Sequence, residues 1–241
     1  MADPLHQFEI TPLIPLEIAG IDVSFTNSSL WMIISMVVSI VLMMVSIRKP
    51  AMIPGRMQVM AEGMYEFIAS MVRDNIGSKG REYFPMIFTI FMIVLMGNML
   101  GMIPYSFTYT SHIAVTMGLA LSIFIFVTIL GFVKHGLHFF SLFCPEGVPL
   151  ALKPLIIPIE VLSYLIRPVT LSVRLFANMM AGHLMLKVFA GFSVGMGVAL
   201  GVLPMFFNVV LIGFEFLIAF LQAYVFTILS CIYLKDAIEL H

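Results

Sequence analysis

Long apolar runs dominate the chain, and most of its charged residues lie between them. Three runs, residues 30–47, 84–104 and 113–133, are close to the roughly 20 residues that a helix needs to cross a bilayer. Two later runs, 159–190 and 204–236, exceed this length, so we expect long helices that tilt strongly. The pattern predicts an all-α integral membrane protein with about five membrane-embedded helices, the last two long and strongly tilted.

The segments between these runs are expected at the membrane surface. Residues 56–76 mix charged with apolar side chains, which is typical of an amphipathic helix on a membrane surface. After the third run, prolines favour a short surface segment over another crossing: Pro145, Pro149, Pro154 and Pro158. With residues 1–29 as an outer N-terminal segment, the whole chain, 1–241, is expected to form a single membrane domain.

Basic residues predict the orientation of the chain. Six of its twelve Lys and Arg residues lie between positions 48 and 81, whereas residues 1–29, 105–112 and 191–203 contain none. Loops rich in Lys and Arg stay on the inner side of a membrane. We therefore expect the N-terminus outside, and the amphipathic helix and the C-terminus inside.

Composition and motifs exclude several classes of protein. Hydrophobic residues make up 61% of the chain and charged residues 10%, and the net charge of −1 provides no basic surface for nucleic acid. Cys144 and Cys231 lack metal-ligand spacing and are interpreted as inert. The sequence contains no nucleotide-binding loop and no metal motif. We therefore predict no nucleic-acid partner, no catalytic residue, no metal, no cofactor, and a chain that is not an enzyme by itself.

Polar side chains inside the last two runs carry the functional signal. A charge at the bilayer centre costs about 2.5–3.5 kcal/mol or more, so each one needs a reason. Arg167 and Lys187 lie nearer the helix ends, where their side chains can reach water by snorkelling. The remaining groups are candidates for a role inside the membrane: Glu160, Arg174, Asn178, His183, Asn208, Glu215, Gln222 and Asp236.

Helix periodicity aligns the candidates of the last run. At about 100° per residue, Asn208, Glu215 and Gln222 form one stripe along the helix. Asp236 continues this stripe, so the helix presents a polar seam through the membrane. Asn208 is an additional candidate for the lining of that seam.

The preceding helix distributes its candidates over two faces. Glu160, Arg174 and Asn178 fall within about 80° of one another. His183 lies about 180° from Arg174, so it faces elsewhere, for example towards the last helix, or else the helix bends. Angles alone leave both alternatives open.

The candidates divide chemically into proton carriers and a fixed charge. Glu and His side chains bind and release protons, whereas Arg keeps its proton in any protein environment. No carboxylate lies one helical turn from Arg174, which indicates a counter-charge on another chain. The alternative is a packing pair between Arg174 and Glu160 or Glu215. Asn178 and Gln222 alone would equally suit interhelical hydrogen bonding.

The last two runs also contain a specific motif. It reads Arg174-Leu-Phe-Ala-Asn178-Met-Met-Ala-Gly-His183, followed by Glu215, Gln222-Ala-Tyr and Tyr233-Leu-Lys-Asp236. Further matching segments are His6-Gln-Phe-Glu-Ile and Gly97-Asn-Met-Leu-Gly-Met-Ile-Pro104. Over essentially its whole length, the chain resembles subunit a of F-type ATP synthases.

This resemblance implies a proton-translocating subunit that couples proton flow to ATP synthesis. Its two long tilted helices would wrap a rotating ring of c-subunits, with peripheral-stalk b-type subunits and the rest of the complex as further partners. Arg174 matches the essential arginine that faces each ring carboxylate and separates two offset half-channels. The implied location is a bacterial inner (plasma) membrane or the mitochondrial inner membrane.

The resemblance also implies roles for the other candidates. Glu160 and Asp236 match acidic positions near the inner exit. The positions that line the outer half-channel match Asn178, His183, Glu215 and Gln222. In some members of the family the acid and the His exchange places, so we expect His183 and Glu215 to be neighbours.

Two other classes of function are weighed against this one. A self-contained ion transporter or channel would hold its substrate without a ring, but the sequence lacks internal repeats and paired broken helices. A purely structural assembly subunit would not need a deep Arg and a polar stripe. Protons are favoured over sodium because a His lies in the path with few additional oxygen ligands.

Overall fold

The structure, a computed structural model, describes residues 9–15, 17–18, 21–22, 24–48, 53–103, 106–143 and 152–239. Most of them belong to six helices: α1 (Asn27–Ile47), α2 (Arg56–Ile76), α3 (Phe84–Gly101), α4 (Ile113–His135), α5 (Lys153–Gly195) and α6 (Gly197–Ile238). Short 3-10 segments follow three of these helices: Gly77–Tyr83, Tyr109–Ser111 and Gly136–Phe143. The predictions on Cys144, Pro145 and Pro149 lie outside the described residues.

Within the described ranges, five helical segments are long and apolar enough to cross a membrane, which confirms the all-α integral membrane fold. One of them, Arg56–Gly101, joins α2 to α3 through a 3-10 turn. Apolar runs become helices in lipid because a helix satisfies its backbone hydrogen bonds within itself. On the amphipathic α2, apolar side chains such as Ile68 and Val72 are buried while Arg56 and Arg73 are exposed.

Small β-strands precede the first helix and were not predicted from the sequence. β1 (Pro12–Ile14) pairs antiparallel with β4 (Phe25–Thr26), and β2 (Glu17–Ile18) pairs with β3 (Ile21–Asp22). The Thr26 side chain then caps α1 by accepting a hydrogen bond from the Ser29 amide at 3.4 Å. The outer N-terminal segment of the prediction therefore contains regular structure next to α1.

The centre of the fold is α3, which packs against both α1 and α6. Ile87, Phe91 and Val94 on α3 are fully buried. In the apolar 18-residue stretch of the segment Arg56–Gly101, 50% is buried inside the protein. The corresponding buried share is 17% for α1 and 22% for α4. The peripheral helices therefore present most of their apolar surface outwards, as lipid-facing helices do.

The two long helices exceed their expected bounds. α5 begins at Lys153 rather than near 159, so the break expected at Pro154 and Pro158 is not found. Pro154 lies in the first helical turn, where no backbone N–H partner is required, and Pro158 and Pro168 lie inside the helix. Membrane helices tolerate internal prolines because neighbouring groups satisfy the freed carbonyls.

A tight turn returns the chain from α5 to α6. Only Met196 separates the two helices, and Gly197 has φ of 73°, a left-handed conformation that glycine adopts without strain. The helices consequently run antiparallel and in contact along their length. This pairing positions the polar side chains of the last two apolar runs.

Candidate functional site at the α5–α6 interface

Among the described residues, three pairs of polar side chains are seen to join α5 to α6. In order from the connecting turn they are His183–Glu215, Asn178–Gln222 and Arg167–Asp236. At about 1.5 Å per residue, about 24 Å of α5 separates His183 from Arg167. The polar interface therefore extends over most of the roughly 30 Å hydrocarbon thickness of a bilayer.

The pair nearest the turn consists of two ionisable side chains. His183 Nδ1 lies 3.1 Å from Glu215 Oε1, and the two side chains are only 8% and 4% exposed. The two atoms are not aligned as a hydrogen bond, and both carboxyl oxygens of Glu215 lack a hydrogen-bond partner among the described residues. The expectation that His183 and Glu215 are neighbours is confirmed. His183 faces α6, as one of the two alternatives from periodicity required.

A glycine on α5 makes room for this carboxyl group. A Cβ atom built on Gly182 would lie 2.6 Å from Glu215 Oε1 and 2.9 Å from Glu215 Cδ. Both distances are shorter than real Cβ contacts, so any side chain at position 182 would displace Glu215. Gly182 thus belongs to the site although it has no polar side chain.

The other ring nitrogen of His183 is bound by the connection between α3 and α4. Thr108 Oγ1 lies 2.9 Å from His183 Nε2, and the same hydroxyl donates a hydrogen bond to the Gly101 carbonyl at 2.9 Å. Thr108 is buried, and its side chain lies against Gly101, where a Cβ atom would approach Thr108 Cγ2 to 2.7 Å. A third element therefore contributes to the pair that α5 and α6 form.

The middle pair is a direct amide contact. Asn178 Nδ2 donates a hydrogen bond to Gln222 Oε1 at 2.9 Å. Gln222 is buried, and its Nε2 has no partner in the ranges that the structure describes. Asn98 approaches α6 from α3 and donates from Nδ2 to the carbonyl of Ala219 at 3.3 Å. Polar groups thus continue along α6 between Glu215 and Gln222.

Arg174 lies on the same face of α5 as Arg167 and Asn178, but it joins none of the pairs with α6. Its side chain is exposed, and no hydrogen bond or ion pair to it occurs within the described part of the chain. The alternative of a packing pair with Glu160 or Glu215 is therefore wrong. Along α5, Arg174 lies about 10 Å from Arg167 and about 14 Å from His183, between the two ends of the interface.

The pair furthest from the turn is an ion pair. Arg167 Nη1 donates to Asp236 Oδ2 at 2.8 Å, with the two side chains 28% and 30% exposed. The guanidinium carbon of Arg167 also lies 5.5 Å from the Tyr164 ring centre and 5.1 Å from that of Tyr233. Snorkelling is therefore the wrong interpretation of Arg167. Its charge is matched within the chain by a carboxylate and two aromatic faces.

Besides Arg174, two candidate residues join none of these pairs. Glu160 is half-buried and lies about 10 Å further along α5 from Arg167, with no polar contact among the described residues. Asn208 is half-buried near the connecting turn, and its Oδ1 has no hydrogen-bond partner in those same ranges. The structure therefore assembles the candidates His183, Asn178, Glu215, Gln222 and Asp236, and leaves Glu160 and Asn208 apart. No group of three or more His, Cys, Asp or Glu side chains in the described ranges could hold a metal ion.

Comparison with known proteins matches the chain to a known family. The family model for the ATP synthase A chain matches residues 29–235, which include α5, most of α6 and every candidate residue except Asp236. The chain belongs to the ATP synthase A chain family. ATP synthase subunit a from Rhodospirillum rubrum is 56% identical over 241 residues, covering 100% of both chains. The subunit a of Parvibaculum lavamentivorans is 56% identical over 98% of this chain and 94% of its own, and that of Pelagibacter ubique is 54% identical over 99% and 98%.

Sequence reasoning missed two residues of the site in this member of the ATP synthase A chain family. Thr108 lies between two apolar runs, where a lone hydroxyl residue gives no periodic signal. Gly182 lies beside His183 in the motif, but only the distance to Glu215 shows why a side chain would not fit there. A search for small residues adjacent to ionisable ones inside the last two runs would have found Gly182; no comparable signal exists for Thr108.

Proposed function

We propose that the chain is the proton-translocating subunit a of an F-type ATP synthase, which couples proton flow to ATP synthesis and is not catalytic by itself. The supporting observation is the position of Arg174. Its charge is exposed on α5 with no hydrogen bond or ion pair among the described residues, between a His–Glu pair on one side and an Arg–Asp pair on the other. An unmatched charge in lipid is costly, so its partner belongs to another chain.

In this proposal the partner is a ring of c-subunits, each with a carboxylate that meets Arg174 in turn. Besides Arg174, α5 exposes apolar side chains such as Leu162, Ile166 and Val173. This composition suits the face of a ring that is apolar apart from one carboxylate per subunit. Peripheral-stalk b-type subunits and the rest of the complex hold the chain in place beside the ring.

Protons reach the ring through two offset half-channels. The outer half-channel contains Asn178, His183, Glu215 and Gln222, with Asn208 near its entrance. A proton that passes along it neutralises a carboxylate just released from Arg174, and the neutral site enters lipid at low desolvation cost. After nearly a full turn the site loses its proton to the inner half-channel, near Glu160 and Asp236, and returns to Arg174.

The fixed charge of Arg174 prevents protons from crossing the membrane without rotation of the ring. Arg does not pass protons on, so protons cannot cross directly from one half-channel to the other. Each charge that crossed without turning the ring would dissipate about 2.3 kcal/mol per 100 mV of membrane potential. Arg174 therefore acts as the barrier that forces proton flow through rotation.

The test is ATP-driven proton pumping by membrane vesicles that carry Arg174→Ala. Passive proton leak is recorded on the same vesicles after the catalytic headpiece is stripped off. We expect pumping to be lost while passive leak persists, because the half-channels remain and only the barrier is gone. Arg73→Ala, which removes an exposed arginine from α2, is the matched control and should pump normally. Normal pumping by Arg174→Ala would refute the mechanism and favour a structural subunit.

A further inference from the structure

We propose that Thr108 is a positioning residue for proton exchange between His183 and Glu215: by bonding Nε2, it leaves Nδ1 as the ring atom that exchanges the proton. This inference rests on the proposed function, because it assigns a further residue to the same proton path. The geometry behind it involves three elements, since Thr108 follows α3, His183 is on α5 and Glu215 is on α6.

The hydrogen-bonding capacity of one hydroxyl group carries the argument. A Thr hydroxyl has a single proton to donate and lone pairs with which to accept. Thr108 Oγ1 lies 2.9 Å from the Gly101 carbonyl, an acceptor at the last residue of α3, and 2.9 Å from His183 Nε2. While the hydroxyl group donates its hydrogen bond to the Gly101 carbonyl, Oγ1 can only accept a hydrogen bond from His183 Nε2. In that arrangement Nε2 carries a proton.

That assignment determines what happens at the other ring nitrogen. In a neutral imidazole only one nitrogen carries a proton, so the lone pair is on Nδ1, 3.1 Å from Glu215 Oε1, and proton transfer requires the carboxyl group to turn into line with it. When Glu215 is protonated, its O–H bond can break while an Nδ1–H bond forms, which leaves a carboxylate beside an imidazolium. The reverse transfer restores both neutral groups. Throughout, Nε2–H donates to Thr108, so the hydroxyl is matched to both states of the ring.

The connection between α3 and α4 holds this hydroxyl in place. Ser111 Oγ donates to the Thr108 carbonyl at 2.6 Å, and Thr108 packs directly on Gly101. Ser106 Oγ also donates to the Gly101 carbonyl, at 3.0 Å. If the Thr108 hydroxyl is removed, that carbonyl therefore keeps a hydrogen bond, and the contact with His183 is what the chain loses.

The experiment measures ATP-driven proton pumping by vesicles that carry the whole complex, normalised to ATP hydrolysis and to the amount of assembled subunit. Thr108→Val keeps the shape of the side chain without its hydroxyl, and Thr108→Ser keeps the hydroxyl. We expect Thr108→Val to lower coupled pumping about five- to tenfold, the scale of one lost hydrogen bond to an ionisable group, and Thr108→Ser to restore it.

Thr116→Val is the matched control, because Thr116 on α4 is as buried as Thr108. Its hydroxyl group contacts a neutral side chain on α5, Ser172 Oγ, at 3.0 Å. An equal loss in Thr116→Val would refute the inference, as would failure of Thr108→Ser to restore pumping. If Thr108→Val does not assemble, Thr108→Ala is compared with Thr108→Ser in the same way.

Parallel variants separate this inference from the function on which it rests. If His183→Ala and Glu215→Gln lower pumping but Thr108→Val does not, only the role of Thr108 is refuted. If His183→Ala and Glu215→Gln pump normally, the proposed outer half-channel itself is refuted. A loss in all three, with rescue by Thr108→Ser, supports both.

Discussion

At the scale of single residues, the site depends on glycines as much as on ionisable groups. Gly101 and Gly182 leave the space that Thr108 and Glu215 occupy, and Gly97 leaves space for the Tyr109 ring. Because glycine has no Cβ atom, a polar side chain of a neighbouring element can pack directly against the helix backbone and stay buried there. The polar groups of this protein are therefore placed by small residues on neighbouring helices.

Gly182→Ala should disturb the site without removing any polar group. The added methyl group would lie 2.6 Å from Glu215 Oε1, so the carboxyl group must shift and its position beside His183 changes. Overpacking of this kind costs about 1–3 kcal/mol, and we expect a lower thermal midpoint together with at least about tenfold slower proton pumping. Gly191→Ala is the control on the same helix, because nothing lies within 4 Å of its added Cβ. That variant should pump normally, and an equal loss in both would show that the effect comes from the helix backbone.

The sequence predicted the ionisable residues of the site better than their surroundings. Periodicity placed His183 on the opposite side of α5 from Arg174, and the structure has His183 buried against α6 and Arg174 exposed. Thr108 was not predictable, because its contact with His183 spans 75 positions and depends on how the α3–α4 connection packs. Arg167 was misinterpreted for a similar reason, since its partner Asp236 is 69 positions away.

At the scale of elements, the antiparallel pair of α5 and α6 determines which polar groups meet. The apolar runs identified both helices, but their bounds depended on how prolines were interpreted. Pro154 and Pro158 were taken as breaks, whereas a proline in the first turn is compatible with a helix and an internal one is tolerated in a membrane. The short strands before α1 were missed because two- or three-residue pairings leave no alternating pattern.

The Arg167–Asp236 pair should stabilise the contact of α5 with α6 far from their connecting turn. Arg167→Gln and Asp236→Asn each leave the other charge partly buried without its partner, so each should lower the thermal midpoint of the assembled complex. Since both groups are more than a quarter exposed, we expect a coupling of only about 1 kcal/mol in a double-mutant cycle.

The control for that cycle is another pair in the same chain. Lys79 and Glu239 lie 3.6 Å apart, but their side chains are 63% and 42% exposed. Solvent screens such pairs, so Lys79→Gln and Glu239→Gln should show no measurable coupling. Additive effects of the Arg167 and Asp236 variants would mean that the ion pair contributes nothing to helix packing.

At the scale of the whole molecule, the two long helices leave most of their apolar surface uncovered by the rest of the chain. In its apolar 18-residue stretch, only 22% of α5 and 28% of α6 is buried inside the protein, whereas 50% of the corresponding stretch is buried in the segment that contains α3. The long helices therefore contact their own chain along a narrow stripe, which carries the polar pairs. Their outer faces and the exposed side chain of Arg174 are left for lipid and for partners.

The orientation of the molecule can be tested because the structure brings distant segments to the same end. Lys79, after α2, lies 3.6 Å from Glu239, after α6, so Ser78 and Glu239 must lie on the same side of the membrane. The six basic residues between positions 48 and 81 predict that this side is the inner one. In a background with Cys144→Ser and Cys231→Ser, single cysteines are introduced as Ser78→Cys, Glu239→Cys and Leu13→Cys, all at exposed positions.

A membrane-impermeant maleimide should label Ser78→Cys and Glu239→Cys only in inverted vesicles, and Leu13→Cys only in right-side-out vesicles. The described residues contain five helical segments that could cross the membrane between Leu13 and Glu239, an odd number, so we expect these two positions on opposite sides whichever way the chain is inserted. A complete exchange of the two patterns would refute the orientation from basic residues while leaving the fold intact. Labelling of Ser78→Cys and Glu239→Cys from opposite sides would contradict the fold, because it would separate two residues that the structure places in contact.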